Sequence, residues 1–387
     1  MKAPIYLDHA ATTPLDPRVL EAMLPYLTDH YGNASSVHAL GRRARFAVED
    51  SREQIAALLG AEPSEIVFTS GGTESDNAAL KGAVDATGKG LLTSTVEHEA
   101  VLQTAHALQR QARTVRLLTP GASGALTAGQ ISDHLDGDIG LVSVMHINNE
   151  TGAETDVRAV ADLCQQHGVL LHTDAVQSAG LYALNVDDLG VDLLSASAHK
   201  FYGPKGIGFL YVRGGTTLPS FVHGGAQERK RRGGTENVAA IVGMAEALKQ
   251  AYADHDAWLA ALIQLRDRLH AGLADALGQA IQFNTPFAEG AVAPHIVNLS
   301  FVADEAGGLD GEMLLLNMDM EGVAVSSGSA CTSGAVEPSH VLLALGIDPA
   351  TAAATIRFSI GRHTAEAHID RAVDTLAKVH QRMALFA

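Results

Sequence analysis

Seven short apolar runs alternate with helical stretches between about residue 60 and residue 212, and this alternation constrains the fold more than any other feature. The runs Ile66–Thr69, Gly90–Thr93, Thr114–Leu118, Leu141–Met145, Val169–His172, Asp192–Ser195 and Ile207–Val212 read as strands. Segments such as Asp156 to Gln166 carry apolar residues at helical spacing and end at a glycine, Gly168. The pattern predicts an α/β fold in which a seven-stranded, mainly parallel sheet is covered by helices. After a Gly-rich stretch around residues 224–234 and two helices, the texture changes. A strand at Ile296–Phe301, a helix at Glu312–Met320, strands at Val323–Val325 and Thr355–Ser359 and a closing helix predict a smaller α+β domain. The expected division is a large domain over 14–255 and a small one over 256–387, joined by the N-terminal segment 1–13. No internal repeat or low-complexity tract is present.

With 387 residues, 47% of them hydrophobic, the chain is long enough for two cores. Its 44 acidic and 27 basic residues give a formal charge of -17, which argues against broad attraction to nucleic acid or an anionic membrane. No apolar stretch approaches the roughly 20 residues of a membrane span, and Asp8 and His9 stand where a signal peptide would be hydrophobic, so a cytoplasmic address is expected. Only Cys164 and Cys331 are present, which suits a reducing compartment and no disulfide framework.

A parallel sheet presents its ligands at the carboxyl ends of its strands, so the residues just after each run carry the chemistry. Ile66–Thr69 is followed by Ser70-Gly71-Gly72-Thr73-Glu74 and a helix. Glycines allow close backbone approach and a helix start favours phosphate, although a plain turn with Thr73 as N-cap reads equally well. Val169–His172 leads into Thr173-Asp174-Ala175-Val176-Gln177, where Asp174 either caps the next segment or faces a protonated pyridine nitrogen. The next strand decides between them. It ends in Ser197-Ala198-His199-Lys200, bringing a lysine to the sheet edge among small residues, with Ser197 and His199 placed as phosphate donors beside a Schiff base. His98, at a helix start, is either a ring-stacking residue or a solvated one. Glu99 follows it, but position 102 is Leu, so the HExxH spacing is absent and no structural zinc is expected.

Cys331 lies in Ser326-Ser327-Gly328-Ser329-Ala330-Cys331-Thr332-Ser333-Gly334, which has no bulky apolar anchor and should be mobile. Cys164 sits in the apolar rhythm of a helix and reads as a packed hydrophobe. Arg357, within a strand, suits a bidentate clamp on a substrate carboxylate or an ordinary pairing with an aspartate. The run Arg229-Lys230-Arg231-Arg232 reads as a solvated loop, a nucleic-acid contact or, with Gly233-Gly234-Thr235 beside it, a phosphate-facing loop.

Taken together, the ordered blocks YLDHAATTPLDPRV, IVFTSGGTESDN, VEHEAV, MHINNETG, HTDAVQS, SAHKFYGPKGIG, RGGTEN, SSGSACTS and IRFSIGR make the chain resemble the group I cysteine desulfurases. These are the NifS/IscS-type branch of the class V aminotransferase-like, fold-type I pyridoxal-phosphate enzymes. The resemblance implies that Lys200 carries pyridoxal 5'-phosphate, that Asp174 pairs with its pyridine nitrogen, and that Gln177 binds its ring hydroxyl. His98 would stack on the ring and move protons. Gly72, Thr73, Ser197 and His199 would hold the phosphate, with Thr235 reaching in from a partner subunit, so a homodimer is expected. Asn149, Arg357 and, in the GNASS turn, Asn33 would position L-cysteine. Cys331 would take the sulfur as a persulfide and pass it to a protein acceptor such as an iron–sulfur scaffold, transiently ligating a cluster at most. Ala198 and Ala34 stand where the family often has Gly and Pro, both small changes. The chain stops soon after its last helix, without the longer tail of the housekeeping members, which leaves the acceptor open. A selenocysteine lyase, a class V aminotransferase and a non-catalytic sulfur carrier are the rival readings, and DNA or tRNA thiolation would differ only in the partner.

Overall fold

The computed structural model describes residues 4–253, 255–303, 307–328 and 338–384. The chain opens with β1 (Ile5–Tyr6), α1 (Pro17–Thr28) and α2 (Ala39–Leu59). Then β2 (Ile66–Thr69), α3 (Gly72–Thr87), β3 (Gly90–Ser94), α4 (Glu99–Arg110), β4 (Val115–Leu118), α5 (Ala128–Ser132) and β5 (Ile139–Met145) follow. Next come α6 (Val157–His167), β6 (Leu170–Asp174), α7 (Val186–Leu189), β7 (Leu193–Ser197), β8 (Gly208–Val212), α8 (Val238–Ala253) and α9 (His255–Leu277). The remainder contributes β9 (Ile281–Phe283), β10 (Ile296–Phe301), α10 (Gly311–Met320), β11 (Val323–Ala324), α11 (His340–Ala344), α12 (Pro349–Ala353), β12 (Thr355–Ser359) and α13 (Glu366–Ala384).

All seven expected strands form one sheet, in the order β2-β8-β7-β6-β5-β3-β4. The pairs from β4 through to β7 are parallel, whereas β8 runs antiparallel to both β7 and β2. Strands β5, β7 and β8 are buried along their whole length, as sheets covered on both faces require. One core, built from α2, α6 and α8 against the sheet, includes Ile55, Leu171, Phe209 and Met244. A core on the other face gathers Leu80, Val84 and Val101 from α3 and α4 against Leu91 and Leu193.

A separate core holds Leu269, Leu273, Leu299, Phe358 and Leu376, from α9, α13 and the antiparallel sheet β12-β10-β9. Ile5 and Leu7 of the N-terminal segment join it, because β1 pairs in parallel with β11. The same segment then crosses to the large sheet: the Thr13 N–H donates to the carbonyl of His199 at 2.9 Å. Residues 8–13 therefore lie between the two cores, over the carboxyl ends of β6 and β7.

Candidate active site

A cavity of about 860 Å³ opens at that junction. It collects residues from the ends of β2, β3, β5, β6 and β7 together with Ala10, Ala11 and Arg357 from the other side. The strand ends fall there because the parallel strands point the same way, as sheet topology demands.

The phosphate-sized corner comes from α3. Its N-cap is Gly71, with φ 147° and ψ -175°, a conformation essentially restricted to glycine, and no side chain caps its first turn. Gly72 and Thr73 line the cavity, leaving first-turn N–H groups and the positive end of a 16-residue helix for an anion. Thr73 lies inside the helix, so the N-cap alternative for it is not realised. A methyl group on Gly72 would sit 2.7 Å from Val176 Cγ2, so this corner tolerates no side chain. Ser197 ends β7, and His199 follows with Nδ1 3.2 Å from Thr12 Oγ1. Burial pushes the His199 imidazole down to about 4, with the charges of Lys200 and Lys205 adding to it.

Lys200 Nζ donates to the carbonyls of Ala10 at 2.6 Å and Ala11 at 2.9 Å, at the cavity wall. Its pKa is lowered to about 8, chiefly by burial and then by the Arg357 charge, against the opposing charges of Asp174 and Asp8. The amine is thus within reach of its nucleophilic, uncharged form near neutrality. Gln177 donates from Nε2 to the Ala10 carbonyl at 2.9 Å.

Opposite the helix start stands Asp174, the last residue of β6. It accepts from the Val176 N–H at 2.9 Å, so the bland capping role is real, yet the carboxyl also lines the cavity. Burial raises its pKa, while His98, the Val176 N–H and Lys200 act against the rise. His98 is the N-cap of α4 and its Nδ1 accepts from the Ala100 N–H at 3.1 Å, which places the proton of the neutral ring on Nε2. Burial lowers its pKa, and the Asp174 charge resists. One ligand atom each from Asp76, His98 and Asp174 lie within 4.8 Å of one another, the single such cluster among the described residues. Two acids and a histidine at this spacing favour a positively charged group. The protonated nitrogen of a pyridine ring fits the chemistry, with the uncapped helix start for the phosphate and the lysine for the aldehyde.

Arg357 is buried in β12 and its guanidinium is already partnered. Nη1 donates to the Asn149 carbonyl at 2.7 Å, and Nη2 to Asp8 Oδ1 at 2.8 Å and Ser326 Oγ at 2.9 Å. The pairing with an aspartate exists, and so does the access: Arg357, Asn149 and Ser326 all line the cavity, and Arg357 Nε is buried without a partner. Two further candidates are not brought here. Asn33 is exposed, with Oδ1 accepting from the Ser35 N–H at 2.8 Å, and Thr235 is exposed and absent from the cavity lining of its own chain. Cys331 lies outside the described residues. Cys164 is a packed core residue, its thiol pushed up to about 12 by burial and the nearby Asp192 charge.

Residues 5–372 match the family described as Aminotransferase class-V. The chain is 42% identical over 386 residues to the cysteine desulfurase IscS of Dictyoglomus turgidum, covering 99% of this chain and 96% of that protein. Among solved structures, a NifS-like protein superposes with a TM-score of 0.89 at 33% identity, over 98% of this chain and 100% of the other. A structure described as SspA in complex with cysteine gives 0.80 at 34% identity, over 93% and 100%. The chain belongs to the class-V aminotransferase family.

For this class-V protein, the sequence left three acids of the site region unread: Asp76 in the cavity wall, Glu97 buried beside His98, and Asp8 behind Arg357. Asp76 is four residues after Gly72 on α3, so helical spacing alone puts it on the same face. Glu97 precedes His98; its carboxyl is buried, takes the Ser94 hydroxyl at 2.6 Å and is raised to about 8, chiefly by burial. Asp8 carried no signal that pointed to Arg357, because the two are 349 residues apart.

Proposed function

We propose that this protein is a pyridoxal-phosphate-dependent cysteine desulfurase, converting L-cysteine to L-alanine and delivering the sulfur as a persulfide on Cys331. The observation that carries the reading is the placement of Lys200 Nζ in one cavity with the uncapped start of α3 and the Asp174 carboxyl. Gly72, Thr73, Ser197 and His199 would hold the phosphate, Asp174 the ring nitrogen, Gln177 the ring hydroxyl, and His98 the ring face. When bound, the cofactor supplies an electron-withdrawing ring that stabilises negative charge at the substrate Cα. Arg357 and Asn149 orient the substrate, the guanidinium gripping its carboxylate. Lys200 Nζ takes the Cα proton, for which an amine with a pKa near 8 is suited. His98 Nε2–H, fixed by the cap on Nδ1, handles protons at the ring face. Cys331 Sγ, as thiolate, attacks the substrate sulfur. The new S–S bond forms as Cβ–S breaks, the electron pair stays with the substrate carbon, and that carbon is protonated to give alanine.

The active unit is a homodimer. Support comes from Thr235, exposed and outside the cavity of its own chain, and from apolar side chains left exposed on and beside α1 and α2: Leu24, Leu27, Tyr31, Val37 and Phe46. The sulfur acceptor in this reading is a protein of iron–sulfur assembly or another thiolation system. A cytoplasmic location goes with this role, and no helix among the described residues is long and apolar enough to cross a membrane. The two domains meet near residue 255, with segment 1–13 on the small one.

The test is product analysis. Purified protein given L-cysteine and a thiol reductant should release alanine and sulfide in equal amounts. Lys200→Ala should abolish both, and Cys331→Ala should stop alanine formation by at least 100-fold. Alanine production undiminished in Cys331→Ala would refute the persulfide mechanism.

A further inference from the structure

We propose that Asp76 is a positioning residue for the cofactor's ring nitrogen, a neutral acid standing beside Asp174 that leaves Asp174 the one carboxylate charge in that corner. The inference rests on the reading of the cavity as a pyridoxal-phosphate site.

The helix that offers its first-turn N–H groups to the phosphate also brings Asp76, one turn further on, to the ring-nitrogen end of the cavity. Asp76 is 1% exposed and its Oδ1 has no hydrogen-bond partner. The titratable groups that face it come from two elements. Asp174 and His172 belong to β6, and Glu97 and His98 lie at the start of α4. His172 Nε2 is 3.6 Å from Asp76 Oδ1, but the imidazole is fully buried and engaged by Ser143 Oγ at 2.8 Å and Ser195 Oγ at 3.0 Å. Burial alone pushes that ring down to about 3, so it is neutral and brings no charge. Among the described residues no lysine or arginine pairs with Asp76, whereas Asp174 has the charges of His98 and Lys200 near it.

Two buried carboxyls a few ångströms apart with one cation between them do not both ionise. A protonated ring nitrogen facing Asp174 fixes the negative charge there, and the remaining proton goes to Asp76. The direction of its own titration agrees: burial raises the Asp76 pKa well above the usual carboxylate range, the charges of Asp174 and Glu97 add, and the Ser195 hydroxyl opposes.

The experiment compares infrared spectra of the cofactor-loaded wild type and Asp76→Asn at neutral pH. One carboxylic-acid C=O band, sensitive to deuterium exchange, should disappear in the variant, while the yellow absorption and its borohydride fixation to Lys200 persist. An unchanged acid region would mean that Asp76 is ionised and would overturn the proposal. Wild-type protein grown with carboxyl-labelled aspartate gives a second readout that needs no variant. Its acid band should shift with the label, which separates Asp76 from the buried Glu97, and the lack of any label-sensitive acid band has the same overturning force. Failure of the wild type to bind the cofactor at all would instead remove the reading of the cavity itself.

Discussion

Lys200 shows how a single side chain can be tuned by what surrounds it. A lysine with a pKa near 8 is about half deprotonated at that pH, where an ordinary lysine would be almost wholly protonated. Its reaction with an aldehyde should therefore accelerate as pH rises through about 8 and level off above, rather than climbing to beyond 10. Stopped-flow uptake of pyridoxal phosphate by the cofactor-free protein measures this. Because the Arg357 charge contributes to the depression, Arg357→Met should move the midpoint upward by a fraction of a unit to about one unit. A midpoint left at 10 in the parent protein would contradict the burial of the amine. The residue types of this site were legible in the sequence where they follow a strand directly, as Asp174, Lys200 and Gly72 do, since strand ends share one edge. Asp8 was not, because its role depends on the N-terminal segment crossing between two cores, and no local pattern encodes that contact. The reading of Arg357 as a clamp or as half of an ion pair also left out a third outcome: a guanidinium that does one while lining the cavity for the other.

At the scale of elements, the strands were readable because period and β-branched composition are local. The antiparallel direction of β8 was not, since a strand's direction follows from the length and path of its connection. The basic run at 229–232 is a surface loop, as its composition suggests, with internal partners that composition could not show. Glu228, Arg229 and Lys230 have φ of 44°, 54° and 67°, three consecutive left-handed residues without a glycine, a conformation costing roughly 1–2 kcal/mol at each. Arg229 and Arg231 donate to the carbonyls of Pro63 and Ser64, and Arg232 pairs with Glu74 of α3 at 2.9 Å. The arginines therefore hold a turn of their own chain, while Arg229 and Lys230 remain exposed to solvent. The turn is pinned by Glu228, buried and bidentate to Arg52 of α2 at 2.8 and 2.9 Å, with the Phe68 N–H donating to it at 2.9 Å. Glu228→Ala leaves the buried Arg52 guanidinium with only the part-exposed Glu49 carboxylate, at 3.4 Å, as counter-charge and should destabilise the protein by about 3 kcal/mol, read as a drop in the urea midpoint. Arg52→Ala should cost a similar amount, and the double variant less than the sum of the two. Additive losses would show that the pair is not the pin.

Across the whole molecule, buried titratable groups of two kinds set opposing pH dependences. His9, His146 and His199 are pushed down to about 4, and His172 and His295 to about 3, with burial the leading cause in each. Their folded pKa values lie below the unfolded value near 6.5. As pH falls through that value the unfolded chain binds protons that the native state refuses, and stability drops by about 1.4 kcal/mol per group per pH unit until the folded value is reached. Glu97 acts in the opposite direction, its folded value of about 8 lying above an unfolded value near 4.3. Between those limits the native state keeps a proton that the unfolded chain releases, so stability falls as pH rises toward 8. Asp76, Asp174, Glu150, Glu154 and Asp192 are raised as well and share that sign. From about pH 4.5 to 6.5 the two sets oppose each other, and the raised acids offset part of the stability that the histidines add as pH rises. Above about 7.5 the histidines are largely neutral in both states and their contribution fades, while Glu97 goes on lowering stability up to about pH 8, where Lys200, itself lowered to about 8, begins to act in the other direction. Urea midpoints at pH 5.5, 6.5 and 7.5 give the shape, and Glu97→Gln should make the slope of stability against pH more positive by about 1.4 kcal/mol per pH unit. An identical pH slope in Glu97→Gln and the parent would mean that Glu97 ionises in the folded protein at an ordinary carboxylate pH, and the charge arrangement around Asp174 would have to be redrawn.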